Sequence, residues 1–173
     1  DSVDRFGSAI LQHLQREGIS SPMILIGRDT RESGPEIELQ LTRSLKRGPV
    51  ETLHAGVVPT PALSVLLAAG HADLGLMISA SHNPPEFNGI KVLDHKGEKL
   101  SKESEKRISE DHATALPLSG EFPTLTEDPG WGQIYLNALL DSFPEGDFLK
   151  GLEVVLDLAR GAACQWAPEA FRR

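Results

Sequence analysis

The residues best suited to chemistry are the polar ones of Ser79–Pro84, which follow the apolar run Leu74–Ile78. A continuous apolar run of this length predicts a buried strand. The prolines that come next prevent the strand from continuing inside a sheet. A hydroxyl, an imidazole and an amide, those of Ser81, His82 and Asn83, are therefore expected together just beyond the carboxyl end of a strand. In open α/β sheets, ligands bind at that edge.

A lysine follows this segment at a distance that a chain reversal could close. Asn88-Gly89 is a strong turn dipeptide, and Ile90–Leu93 reads as a strand that folds back beside the preceding one. Lys91 lies in that strand, ten residues after Ser81. A serine hydroxyl is a weak nucleophile unless it is activated, and a lysine nearby can supply positive charge or exchange a proton.

Several motifs of the chain occur together in a known family, in the same order. They are Gly27–Gly34 (GRDTRESG), Gly56–Ala62 (GVVPTPA), Ser79–Pro84 (SASHNP), Asn88–Lys91 (NGIK) and Gly97–Leu100 (GEKL). The Ser79–Pro84 segment closely resembles the phosphoserine loop of the α-D-phosphohexomutases. Within that superfamily, the serine loop and the turn after it are most similar to those of the phosphoglucosamine mutases.

The resemblance implies an isomerase that works by phosphoryl transfer. Ser81 would carry a phosphoryl group, donate it to a hexose phosphate, and recover the other phosphate from the bisphosphorylated sugar. Glucosamine 6-phosphate and glucosamine 1-phosphate would be interconverted, feeding UDP-N-acetylglucosamine and peptidoglycan precursors. It further implies a sugar 1,6-bisphosphate activator and Mg²⁺, bound through the Ser81 phosphate. The implied catalytic residues are Ser81, Lys91 and His82, and the implied phosphate-binding residues are Asn83, Arg28 and Arg31.

Alternatives remain open for these residues. Arg28 and Arg31 could face a phosphate, or they could form a structural ion-pair turn with Asp29. Lys91 could be a solvated strand residue, and His82 could orient the loop through hydrogen bonds without touching substrate. The substrate could also be that of a phosphomannomutase or phosphoglucomutase.

Two other functional classes compete with a mutase. A serine hydrolase is disfavoured, because Ser81 lacks the Gly-x-Ser-x-Gly elbow and its neighbour His82 would point away from the hydroxyl. A non-catalytic domain that binds a phosphosugar or a protein predicts that Ser81 is unmodified.

Composition indicates a globular protein and excludes several partners. The chain has 173 residues, of which 39% are hydrophobic and 24% charged, and its net charge is −8. A net negative chain without a basic run does not fit a nucleic-acid partner, and no segment reaches the roughly 20 apolar residues of a membrane span. The single cysteine, Cys164, excludes an internal disulfide. We expect a cytoplasmic protein, and a homodimer is left open.

Apolar periodicity predicts an α/β fold with a mixed, mostly parallel sheet between helices. Helices are expected at Asp4–Glu17, from Ser33-Gly34-Pro35 to Leu45, and at Ala62–Ala69. Strands are expected at Met23–Gly27 and Val50–His54. Alternation of strands and helices at this spacing is typical of parallel βαβ units. A charged helix capped by Ser101, and another through Ile134–Leu140, complete the pattern.

We expect two domains. Residues 1–148 would form phosphohexomutase domain 1, with its N-terminal strand region missing, and residues 149–173 would begin a second, similar domain that is cut short. Leu152–Asp157 is predicted to be the first strand of that domain, with a helix starting at Ala167. The family's metal-binding, sugar-recognition and C-terminal phosphate-binding loops have no counterpart in the sequence, so this chain alone is expected to lack mutase activity.

Overall fold

The computed structural model, which describes residues 2–116, 121–144, 146 and 149–173, contains one four-stranded sheet. Its strands are β1 (Met23–Arg28), β2 (Glu51–Val57), β3 (Leu74–Ile78) and β4 (Ile90–Leu93). Their order is β2-β1-β3-β4. Strand β1 is parallel to both of its neighbours, and β4 is antiparallel to β3. The mixed, mostly parallel sheet is thereby confirmed, as is the reversal of the chain at Asn88-Gly89.

Helices cover both faces of the sheet. They are α1 (Ser2–Arg16), α2 (Gly34–Leu45), α3 (Thr60–Ala68), α4 (Lys102–Thr114), α5 (Gly130–Asp141) and α6 (Ala167–Arg172). The predicted positions differ from these by a few residues at the helix ends. The predicted cap of α4 is present, because the Ser101 hydroxyl accepts the Ser104 N–H at 3.1 Å.

Two hydrophobic clusters lie on opposite sides of the sheet, because successive strand side chains point to opposite faces. Ile24 and Ile26 of β1 pack with α1, α2 and α4, whereas Leu25 between them packs with α3 and α5. Strand β3 is buried along its whole length and divides its side chains in the same way, with Leu76 on the first face and Met77 on the second. The sheet is therefore the middle layer of three.

The connections place a crevice above the middle of the sheet. Helix α2 joins β1 to β2 on one face, and α3 joins β2 to β3 on the other. The chain that leaves β1 leads to β2 on one side, whereas the chain that leaves β3 leads to β4 on the other, so the two segments diverge at the carboxyl edge. Ligands bind at such switch points in open α/β sheets.

The prediction of a strand at Leu152–Asp157 is wrong. Among the described residues this segment has no ladder partner and no regular structure, and Val155 is 94% exposed. A run of apolar residues forms a strand only when a neighbouring strand satisfies its backbone groups. The segment that follows packs through Trp166 against the face of the sheet that α3 and α5 cover. The predicted boundary between residues 148 and 149 falls partly outside the described residues, and a second domain stays a prediction.

Within the described ranges, no helix combines the length and apolar character that crossing a membrane requires.

Candidate active site

Ser81 lies at the start of the loop that follows β3, in a constrained backbone conformation. Ser81 is exposed, and its φ of 58° falls in the left-handed region, which residues with a Cβ rarely occupy. The Ser81 N–H donates to the hydroxyl of buried Ser79 at 3.0 Å. Ser79 is itself anchored, because its N–H donates to the Gly89 carbonyl at 2.8 Å. The serine hydroxyl is thus accessible while the backbone that carries it is held.

Arg31, in the loop that follows β1, binds the backbone carbonyls of this serine loop. Its Nε donates to Asp29 Oδ2 at 3.0 Å, and the Arg31 backbone N–H donates to Asp29 Oδ1 at 3.1 Å. The two terminal nitrogens donate to four backbone carbonyls, those of Ser81 (2.7 Å), Asn83 (3.0 Å), Pro84 (2.7 Å) and Phe87 (3.0 Å). All five N–H groups of the guanidinium therefore have protein acceptors. This geometry favours the structural interpretation of the Arg31–Asp29 pair.

Arg28, the last residue of β1, is engaged away from the serine loop. Its Nε donates to Glu38 at 3.0 Å and its Nη2 donates to Glu127 at 2.5 Å. Glu38 is 1% exposed and also lies 2.8 Å from Nδ1 of the buried His54. A buried carboxylate needs such partners to offset its lost hydration. Glu38 was not singled out from the sequence, although an acidic residue beside an apolar helical stripe is a signal that could have drawn attention to it.

A groove of about 580 Å³ opens at the carboxyl edge of the sheet, beside these loops. Its walls come from the loops after β1, β2 and β3 and from the segment before α6. The lining residues are Asp29, Thr30, Arg31, Pro59, Thr60, Met77, Ser79, Ser81, Asn83, Pro85 and residues 159–163. The structure therefore brings together Ser81, Asn83 and Arg31 of the predicted site residues.

The segment 159–163 was not predicted as part of the site. Thr30 Oγ1 donates to the Arg160 carbonyl at 2.6 Å, which joins this segment to the loop after β1. Ala159 and Arg160 both have positive φ, 44° and 54°. The position of this segment beside the serine loop depends on the tertiary packing of Trp166, whose Nε1–H donates to the Val57 carbonyl at 3.0 Å.

Lys91 and His82 lie near the groove without lining it. Lys91 is half-buried in β4, where it pairs with Met77, a residue of the groove floor. In the part of the chain that the structure describes, its side chain has neither a hydrogen bond nor an ion pair. His82 is exposed in the serine loop. Their catalytic roles stay predictions.

The described residues do not form a complete metal site. No group of three or more His, Cys, Asp or Glu side chains among them is arranged to hold a metal ion. Asp29, the carboxylate on the groove wall, is bound to Arg31 through both oxygens. The residues described here therefore do not fit a bound Mg²⁺ by themselves.

Comparison with known proteins identifies the family. Residues 1–116 match the family described as phosphoglucomutase/phosphomannomutase, alpha/beta/alpha domain I. Phosphoglucosamine mutases from Roseobacter denitrificans and Cereibacter sphaeroides are each 41% identical to the chain and are matched over 96% of it. The chain spans 38% of the length of each of these relatives.

A solved structure has the same fold. The crystal structure of a phosphoglucomutase/phosphomannomutase family protein from Burkholderia thailandensis superposes with a TM-score of 0.75 at 22% identity, covering 99% of this chain and 38% of that one. This superposition shows that the two proteins share the three-layer α/β fold, and the sequence match over residues 1–116 shows the family. The chain belongs to the phosphoglucomutase/phosphomannomutase family.

Proposed function

We propose that this chain is the serine-bearing part of a phosphoglucosamine mutase, an isomerase that interconverts glucosamine 6-phosphate and glucosamine 1-phosphate. The observation that carries the proposal is the Ser81 hydroxyl, which is exposed beside a groove while its backbone is held by Ser79 and Arg31. Phosphoryl transfer requires positioning more than covalent assistance from the protein. The 41% identity to proteins named phosphoglucosamine mutase supports the choice of substrate.

The proposed reaction has two balanced phosphoryl transfers. In the first, a sugar hydroxyl oxygen attacks the phosphorus of phosphorylated Ser81. A new P–O bond to the sugar forms, the bond to Ser81 Oγ breaks, and the sugar hydroxyl proton ends on Oγ. The bisphosphorylated sugar then reorients, and the Ser81 hydroxyl attacks its other phosphate by the reverse sequence of bond changes. A sugar 1,6-bisphosphate would load an unphosphorylated serine in the same way.

Lys91 is proposed to move the proton in these transfers. Its half-buried position beside Met77, together with the lack of an ion-pair partner among the described residues, supports this role. A side chain that is positioned near the reacting group can take up and release a proton in the transition state, and lysine is one of the residues that do so. Asn83, which lines the groove, is proposed to donate a hydrogen bond to phosphate oxygens. His82, its neighbour in the serine loop, is proposed to be a catalytic residue.

Mg²⁺ is proposed as the cofactor on the strength of the family alone. When bound, it would neutralise charge on the phosphoryl oxygens. Among the described residues, only a phosphate on Ser81 would provide a ligand for this ion. The steps proposed above therefore use residues of this chain and do not depend on the metal.

The proposal is tested on the full-length protein, whose intact mass is measured before and after phosphatase treatment. We expect one phosphoryl group that phosphatase removes, that Ser81→Ala lacks, and that the matched control Ser109→Ala keeps. Ser109 is exposed on α4, a helix that contributes no residue to the groove lining. An unmodified Ser81 that glucose 1,6-bisphosphate cannot load would favour a non-catalytic binding domain instead. Coupled assays with glucosamine, mannose and glucose phosphates then assign the substrate, and faster turnover of mannose 1-phosphate would make the protein a phosphomannomutase.

A further inference from the structure

We propose that Arg31 is a positioning residue that shapes the serine loop for phosphoryl transfer by binding its backbone carbonyls. The inference rests on the proposed function for Ser81 and deepens it. It assigns to Arg31 a task different from direct phosphate binding, which its residue type and the family motif had suggested.

Arg31 organises the serine loop because its guanidinium binds carbonyls along the loop from one end to the other. The Arg31 guanidinium binds carbonyls at both ends of the loop, from Ser81 to Phe87. Asp29 accepts a hydrogen bond from Arg31 Nε and so fixes the orientation of the guanidinium. Asp29 is in turn tied to the sheet, because its N–H donates to the Ile78 carbonyl at 3.0 Å. The Arg31 side chain therefore fixes the position of the loop relative to the ends of β1 and β3. A planar fork with five donors is suited to this task.

The backbone of Ser81 shows what this template achieves. A serine with φ near 58° is unfavourable in isolation, because the left-handed region crowds the Cβ. Ser81 is held there from both sides: Ser79 accepts its N–H, and Arg31 binds its carbonyl at 2.7 Å. Strained residues of this kind persist where the surroundings over-determine them, and they cluster at functional sites.

The same contacts change the electrostatics around the serine. A carbonyl oxygen is the negative end of a strong dipole and would repel a phosphate on Ser81. Four such oxygens point inward to the Arg31 guanidinium. Since all five N–H groups of Arg31 are already used, a phosphate on Ser81 would take its hydrogen bonds from other groups, and Arg31 would act through the loop.

The test compares Arg31→Lys and Arg31→Ala with the matched control Arg16→Lys in the full-length protein. Arg16 of α1 also forms a bidentate salt bridge, with Asp111 of α4 at 2.6 and 2.7 Å, but neither residue lines the groove. Hydrogen exchange of the 79–89 amides reports the loop, and the rate of Ser81 labelling by glucose 1,6-bisphosphate reports the chemistry. Thermal unfolding shows that each variant is folded.

We expect both Arg31 variants to exchange faster in this loop and to label about 10²-fold more slowly, with little change in KM. Guanidinium ion added to Arg31→Ala should restore part of the rate, and Arg16→Lys should behave as the wild type. A raised KM with unchanged loop exchange would overturn the inference and make Arg31 a phosphate ligand. If wild-type Ser81 takes no label, the proposed function fails, while loop exchange alone still decides whether Arg31 organises the loop.

Discussion

The buried hydroxyl of Ser79 accepts the N–H of Ser81 at 3.0 Å, which links the end of strand β3 to the residue proposed to carry phosphate. Ser79 is 7% exposed, so its side chain is held by its surroundings. The contact spans only two residues and turns the chain sharply at the point where β3 ends. The serine in the first position of the Ser-Ala-Ser sequence therefore supports the conformation of the serine in the third.

Replacing Ser79 by alanine should impair phosphoryl transfer more than stability. The change removes one hydrogen bond, which costs about 1 kcal/mol of unfolding free energy. It also releases the Ser81 N–H from its acceptor, so we expect labelling of Ser81 by glucose 1,6-bisphosphate to slow by about 10- to 100-fold. Stopped-time labelling followed by mass measurement checks this. Ser109→Ala is the control, and equal labelling rates in the two variants would show that the contact is dispensable.

Lys91→Met tests the proposed proton transfer. Methionine keeps the length and apolar stem of lysine but has no ammonium group, so strand β4 should be preserved. General acid–base groups typically contribute about 10²- to 10⁴-fold, and we expect a loss of kcat in that range. Loading of Ser81 by glucose 1,6-bisphosphate should still reach completion, at a lower rate. Lys96→Met, in the exposed turn after β4, serves as the control. Unchanged kcat in Lys91→Met would remove this residue from the mechanism.

The parts of the fold that could be predicted are those encoded by neighbours in sequence. Strand β3 is a continuous apolar run with a polar end, and it occupies the predicted residues Leu74–Ile78. The reversal at Asn88-Gly89 and the Ser101 cap likewise depend on adjacent residue types. Because the serine follows such a strand, its position at the carboxyl edge could also be predicted.

The roles of the charged residues could not be predicted, because their partners are distant in sequence. The carbonyls bound by Arg31 lie 50 to 56 residues away. The burial of Glu38 depends on Arg28 and His54, which belong to two different strands. Periodicity describes which face of an element is apolar, and it contains no information about which charge will meet which acceptor. For the same reason it predicted a strand at Leu152–Asp157, for which the described residues offer no partner strand.

Stability should fall in acid through Asp4 on helix α1. Burial raises the pKa of Asp4, but hydrogen bonds from Arg43 (2.6 and 2.7 Å) and Ser44 (3.0 Å) outweigh it, so the pKa lies below its usual value of 3.8. A carboxyl with a depressed pKa in the folded state adds stability that is complete above pH 3.8 and is lost as pH falls through the folded pKa.

Asp4→Asn should therefore cost about 2 kcal/mol at pH 7, where it leaves the Arg43 charge without its carboxylate. The difference from wild type should shrink progressively below about pH 4, as Asp4 itself becomes protonated. Urea unfolding across that range measures both quantities. A constant difference at every pH would mean that the charge of Asp4 is irrelevant and that only its shape matters.

Gly132 of helix α5 should not tolerate a side chain, because the indole of Trp166 packs directly against it. A Cβ at this position would overlap the Trp166 ring. Alanine would favour the helix by roughly 1 kcal/mol, but displacing the indole breaks its 3.0 Å hydrogen bond to the Val57 carbonyl and disturbs a buried cluster. Overpacking of this kind costs about 1–3 kcal/mol, so Gly132→Ala should be destabilising overall.

A double-mutant cycle with Trp166→Leu isolates this overlap. Leucine lacks the outer ring atoms that a Cβ at Gly132 would meet, so in that background we expect Gly132→Ala to be neutral or stabilising, through its better helix propensity. The two substitutions should thus be strongly non-additive in urea unfolding, as residues in direct contact are. Additive losses would show that the cost of Gly132→Ala does not arise from its contact with the indole. The attachment of the segment before α6, which forms one wall of the groove, would then not depend on the contact between Gly132 and Trp166.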